Sequence, residues 1–278
     1  MIAHTVVPSA ARDLFFPVLL CVALTCSSNV LIAQSLESRV AAAKGTVGFE
    51  FTTRRAVCGN GMSINISDDT ASGWTTRSRR SGIHIGRTIA GDQSICEEGP
   101  GRVTLTQSAG KVTDVLVSVG GRVERADTEL GAVSAPETAR YLLAIAPSLS
   151  GRSADNAVMG AAIADSTTVW RRMLEIARDN DASESARKAS LFWVSQEAST
   201  VATAGLSAVA MDDAAEGSVR SDALFFLAQR PKGEGIPALI RVVRESRSPK
   251  LRKDAIFFLS QSRDPRAIAL FEQLLAGK

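Results

Sequence analysis

Three arginines and three glutamines recur in register along the second half of the chain, and their spacing marks them as residues with a shared task. Arg187, Arg220 and Arg252 open three segments that superimpose residue by residue, and Gln196, Gln229 and Gln261 close them: Ala186 to Gln196 (ARKASLFWVSQ), Val219 to Gln229 (VRSDALFFLAQ) and Leu251 to Gln261 (LRKDAIFFLSQ). The period is about 33 residues, the size of one helical hairpin. A guanidinium offers five donors and no acceptor. The arginine row is therefore expected to bond acidic or carbonyl groups in neighbouring turns, such as those near Asp181 and Asp213. An amide both donates and accepts. The glutamines, at the ends of their segments, are the best candidates for a binding surface, the alternative being that they cap and bridge successive helices.

Catalytic arrangements are missing. The chain carries no Gly-x-Ser-x-Gly elbow, no His-Glu-x-x-His, no Walker-type glycine loop and no Cys-x-x-Cys. His84 is the single histidine after the first residues and would have to serve any Ser- or Cys-based mechanism. It also leaves too few nitrogen and sulfur ligands for a zinc site, which needs about four. A pair of carboxylates of the glycosidase type is recognised by separation in space rather than by sequence, and nothing such as Glu97-Glu98 stands out. No cofactor or metal is expected. With 278 residues, 22% charged, and a net charge of +3, the chain lacks the basic stripe of a nucleic-acid binder. The stretch Trp74, Arg77, Arg79, Arg80, His84 and Arg87 is the densest basic segment, read either as a solvated loop or as a contact for an anionic group.

The elements that must hold these residues differ between the two halves. Leu14 to Leu24 (LFFPVLLCVAL) is an unbroken apolar run after Arg12, too short for a span of about 20 residues, and it passes into small and polar residues. Residues 1–34 are expected to be a signal peptide, with an uncleaved anchor as the alternative. The protein is then exported, periplasmic or extracellular, with no stable membrane span after cleavage. Cys21 and Cys26 leave with that segment, so Cys58 and Cys96 remain, and in an oxidising compartment they are expected to pair. The bond would contribute about 3 to 4 kcal/mol by restricting the unfolded chain. Two unrelated buried thiols are the alternative.

From Thr46 to about Val123 the apolar residues alternate, as in Val47, Phe49 and Phe51, in Ile64 and Ile66, and in Ile83 and Ile85. Residues 35–130 are expected to form a small antiparallel β domain of about five strands, with a hairpin turn at Ser108 to Lys111 and a short helix at Ser35 to Lys44. After Ala135-Pro136 the apolar period becomes helical, and residues 136–278 are expected to be all helix. The fold class is α+β, written as two domains. Ser218, Ser248-Pro249 and Asp264-Pro265 supply candidate helix caps. The aromatic pairs Phe192/Trp193, Phe225/Phe226 and Phe257/Phe258 are expected to pack in the core.

Pro237 in a first helix and Arg252 just inside a second resemble the HEAT-repeat consensus, strongly over about 166–278 and weakly over 137–165. The order of apolar leader, paired-cysteine β segment and Ala-Arg-Tyr-Leu-Leu (139 to 143) before the repeats is also similar to exported HEAT-repeat proteins of environmental bacteria. The resemblance implies a superhelical α-solenoid whose stacked hairpins share one core, because a single pair cannot hide its apolar stripe. It implies a scaffold that binds a protein or peptide partner without catalysis of its own. The competing expectation is an envelope enzyme or enzyme accessory acting on glycans or peptides through the β domain.

Overall fold

The computed structural model describes residues 34–66, 76–78, 83–85, 96–122, 124–196 and 200–277. The expected signal peptide, and Trp74, Arg79, Arg80 and Arg87 of the basic stretch, lie outside the described residues. Among the described residues no helix is long and apolar enough to cross a membrane.

The α+β composition expected from the two periodicities is present. A helix, α1 (Leu36–Ala42), opens on Ser35, whose hydroxyl accepts from the Ser38 amide at 3.3 Å. The first sheet has the order β8-β7-β1-β9, built from β1 (Val47–Phe51), β7 (Gly101–Ser108), β8 (Lys111–Val119) and β9 (Thr128–Ala132). The β7/β8 hairpin turns at Ala109-Gly110, where both residues take positive φ, at the position expected from the turn residues. The second sheet has the order β4-β5-β3-β2-β6, from β2 (Val57–Gly59), β3 (Ile64–Ile66), β4 (Thr76–Ser78), β5 (Ile83–Ile85) and β6 (Glu97–Glu98). Cys58 in β2 is disulfide-bonded to Cys96, the residue entering β6.

Both sheets are mixed, which corrects the antiparallel expectation: β9 runs parallel to β1, and β5 parallel to β3. Alternation reports which residues share a face and is blind to strand direction. At the β1 edge a polar clamp joins the starts of the two parallel strands. The Asp127 carboxylate accepts from the Thr46 amide at 2.8 Å and from its hydroxyl at 2.9 Å, so β9 and β1 begin side by side.

The helices that follow are α2 (Ala135–Ile145), α3 (Gly151–Ile163), α4 (Trp170–Arg178), α5 (Glu184–Gln196), α6 (Thr200–Met211), α7 (Gly217–Ala228), α8 (Ile236–Glu245), α9 (Pro249–Ser262) and α10 (Pro265–Leu275). Ser134, Ser248 and Asp264 cap α2, α9 and α10 through their side chains, each just ahead of a proline in the first turn. Ser218 does not cap α7. The helix already begins at Gly217, and the Ser218 hydroxyl donates to the Glu216 carboxylate at 2.9 Å.

Successive pairs α2/α3, α4/α5, α6/α7 and α8/α9 pack as hairpins, and the pairs lie against one another in two rows. In one row α4 meets α6, α6 meets α8 and α8 meets α10; in the other α3 meets α5, α5 meets α7 and α7 meets α9. The core between the rows is apolar, with Met173, Ile176, Leu191, Leu206, Leu224 and Leu239 at 1% exposure or less. Close packing depends on glycine where helices approach: a Cβ on Gly160 of α3 would stand 2.8 Å from Leu142 and 3.1 Å from Val117 of the sheet. Sheet and helices therefore share one core, and residues Gln34–Lys278 form one compact unit. The buried Asn156 amide of α3 donates to the Val115 carbonyl of β8 at 2.8 Å, which fixes the helix along the strand.

Candidate functional site

Helices α5, α7 and α9 stand side by side and carry equivalent residues at equivalent positions. Residues four apart on a helix lie one above the other. Each helix therefore shows a stripe of a polar residue, a phenylalanine and a glutamine: Lys188, Phe192 and Gln196 on α5, Ser221, Phe225 and Gln229 on α7, Lys253, Phe257 and Gln261 on α9. The three glutamines are exposed. Gln196 donates to its neighbour Ser195 at 3.0 Å. Among the described residues the side chains of Gln229 and Gln261 make no hydrogen bond, and the row does not bridge successive helices.

The aromatic pairs do not all sit in the core, contrary to expectation. Adjacent residues on a helix point about 100° apart. The second ring of each pair faces inward, with Trp193 at 6% exposure, while the first turns toward the stripe, leaving Phe225 at 46% and Phe257 at 58% exposure. The six rings form one continuous edge-to-face run across the three helices. Phe192 meets Phe226 at 6.1 Å and Phe225 meets Phe258 at 6.1 Å, with contacts of 5.3 to 5.6 Å inside each pair. Phe192 and Phe225 each lean on the next helix, and the Phe257 ring, on the last helix of the row, is the most exposed of the six. The i, i+4 relation between phenylalanine and glutamine is the sequence signal that could have found this surface.

Charges on the same face are confined to the early turns of the helices, where Lys188 and Lys250 are each paired and Lys253, among the described residues, is not. Lys188 pairs with Glu184 at 2.6 Å, which raises its ammonium above the ordinary value. Lys250 pairs with Asp254 at 2.9 Å and donates to the Ser221 hydroxyl at 2.7 Å. Asp222 lies between them, half-buried, with one carboxylate oxygen unbonded, and burial pushes its carboxyl up. The later turns, with phenylalanine and glutamine, are free of such pairing.

The arginine row lies elsewhere and is structural in its contacts. Arg187 is buried and pairs with Glu216 at 2.6 Å, in the turn before α7. Arg220 pairs with Asp213 at 2.9 Å and donates from Nε to the Ala210 carbonyl at 3.1 Å. Arg252 donates to the Ser246 carbonyl at 2.6 Å. Asp213 is thus a partner as expected, whereas Arg187 reaches into the following hairpin rather than toward Asp181. Sequence reasoning passed over Arg230. Its buried guanidinium bonds the Ser195 carbonyl and the Thr203 hydroxyl at 2.9 Å and pairs with Glu234 at 3.1 Å, tying the end of α7 to α5 and α6.

Elsewhere, Glu97 accepts from the Gly121 amide at 2.8 Å, a turn-holding contact. His84 stands in register between Asn65 and Arg77 within the second sheet. Among the described residues no three metal-ligating side chains cluster. No family model, curated protein or solved structure matches this chain.

Proposed function

We propose that this protein is an exported interaction scaffold in which α4 to α10 act as a HEAT-like superhelical solenoid and the row α5, α7 and α9 is its partner-binding surface. The observation that carries the reading is the phenylalanine–glutamine stripe repeated on three adjacent helices, with the glutamine exposed on all three and the ring exposed on α7 and α9. Exposed aromatic rings beside exposed amides, of which Gln229 and Gln261 make no hydrogen bond among the described residues, combine apolar contact area with adaptable hydrogen bonding, the chemistry that protein interfaces favour. A protein or peptide partner suits this surface better than a nucleic acid, because Lys188 and Lys250 on the face already pair with carboxylates. The disulfide between Cys58 and Cys96 fits an oxidising compartment, and the apolar run at Leu14 to Leu24 fits export to the periplasm or beyond.

The test is affinity capture from envelope fractions with the native chain and with a Phe225→Ser, Phe257→Ser, Gln229→Ala variant. A partner retained by the native chain and lost by the folded variant supports the surface. Equal recovery by both would reject it.

A further inference from the structure

The repeat exposes on α9 what it buries on α5 and α7. Leu191 and Leu224 are fully buried, whereas Ile256, the residue in the same place on α9, is 38% exposed. The order of packing explains the difference. Arg187, one turn before Leu191, reaches Glu216 of the following hairpin, so this side of each second helix is closed by the hairpin after it, and no described helix follows α10. The first helices agree. Aligned on Pro237 and Pro265, half-buried Ile240 of α8 corresponds to Ile268 of α10, which is 52% exposed. Of the nine large apolar side chains exposed among the described residues, five belong to α9 and α10, so the uncovered apolar area is concentrated at one end of the helix rows.

Charge on this end is self-complementary. Lys253 on α9 corresponds to Ser221 on α7, whose hydroxyl donates to Asp254 of the next hairpin at 3.1 Å. Glu272 on α10 corresponds to Arg244 on α8, which donates to Gln273 of the next helix in its row at 2.8 Å. Lys253 and Glu272 therefore both lie on the outward side; they are exposed, and neither makes an ion pair among the described residues. From the turn that joins the two helices they stand about 14 and about 11 Å along α9 and α10, at nearly one height. Rotating a copy by half a turn about an axis parallel to the helices lays α9 antiparallel on the copy's α10. Each Lys253 then faces a Glu272, and Ile256 and Phe257 face Ile268. The opposite end of the rows is closed, because α1 covers α2 and β8 covers α3. Head-to-tail association is thereby blocked, and among copies of this chain the exposed end can meet only its like.

We propose that the chain forms a twofold dimer through α9 and α10, in which a second copy takes the place that a following hairpin would occupy. The interface shares Lys253 and Phe257 with the α5, α7, α9 stripe and leaves out Phe192, Phe225 and Gln229. It does not depend on that stripe binding a partner.

Sedimentation equilibrium of the full chain from about 1 µM to 1 mM tests the proposal. The mass should rise from one chain to two and no further. Ile268→Glu, a change at an exposed side chain, should abolish the dimer while the melting temperature at the dilute end is unchanged. Lys253→Glu and Glu272→Lys should each weaken association at least about tenfold, since the symmetry sets like charges together twice. The combined Lys253→Glu, Glu272→Lys variant should return to within about threefold of the native chain, the recovery expected of residues in contact. A mass of one chain throughout, growth beyond two chains, an undiminished dimer in Ile268→Glu or in both single charge variants, or no recovery in the combined variant would each overturn the proposal. Equal recovery in the capture experiment with the dimer intact would reject the partner surface alone, because Ile268 and Glu272 lie outside that stripe.

Discussion

Arg187 on α5 reaches Glu216 at 2.6 Å in the turn that precedes α7, so one helical hairpin is fastened to the next by an arginine whose side chain is only 7% exposed. The contact is long-range in sequence and couples adjacent repeats. It sets the first expectation.

Arg187→Ala should lower stability by about 1–3 kcal/mol, since a buried charged hydrogen bond is lost together with the packing of the aliphatic stem. Glu216→Gln should cost less, because the carboxylate side is half exposed. Thermal melts of the two variants beside the native chain read the difference; equal shifts would contradict the burial asymmetry.

Acid should loosen the end of the helix rows first. Asp264 caps α10 and is held down to about 2 by the side chain and then the amide of Arg266. Its folded value lies below its unfolded one, so it contributes stability that is complete above about 3.8 and is lost as pH falls toward about 2. Glu216, lowered by the Ser218 hydroxyl and then by Arg187, acts with the same sign below 4.5. Asp222 has the opposite sign: burial raises it, so its effect is most favourable below 3.8 and is lost as pH rises through its folded value. Asp264→Asn should flatten the acid limb of a pH–melting curve, and Asp222→Asn should leave the neutral-pH melting temperature unchanged or raise it.

Reduction should be felt through the second sheet. Breaking Cys58–Cys96 by reductant, or a Cys58→Ser, Cys96→Ser double variant, should cost about 4 kcal/mol on the chain-entropy account of a closed 38-residue separation. Chemical denaturation with and without reductant measures it, and the double variant should be insensitive to reductant.

The two rings of an aromatic pair should separate stability from binding. Trp193→Ala removes a side chain at 6% exposure and should cost about 3–5 kcal/mol. Phe257→Ser, at 58% exposure, should cost under about 1 kcal/mol. Urea unfolding distinguishes them; a large loss at Phe257 would mean that its ring supports the fold rather than a surface.

Local chemistry was legible in the chain. The repeat at Arg187, Arg220 and Arg252, the hairpin turn before Lys111, the pairing of Cys58 with Cys96 and the Ser248 and Asp264 caps all depend on residues near one another in sequence or on a small choice of partners. The turn and the caps survive in the structure because short-range geometry determines them, and the disulfide because only one partner was left for each cysteine.

Which neighbour covers a given face was settled only by the tertiary structure. Periodicity put Phe192, Phe225 and Phe257 on helices and left open whether anything lies over them; the stacking of α5, α7 and α9 leaves the last ring the most exposed. The parallel partner of β1, the reach of Arg187 to Glu216, and the joining of sheet to helices at Asn156 and Gly160 are likewise contacts between distant segments. Patterning specifies a buried side for each element, but the identity of the surface that buries it is a property of the whole packed chain.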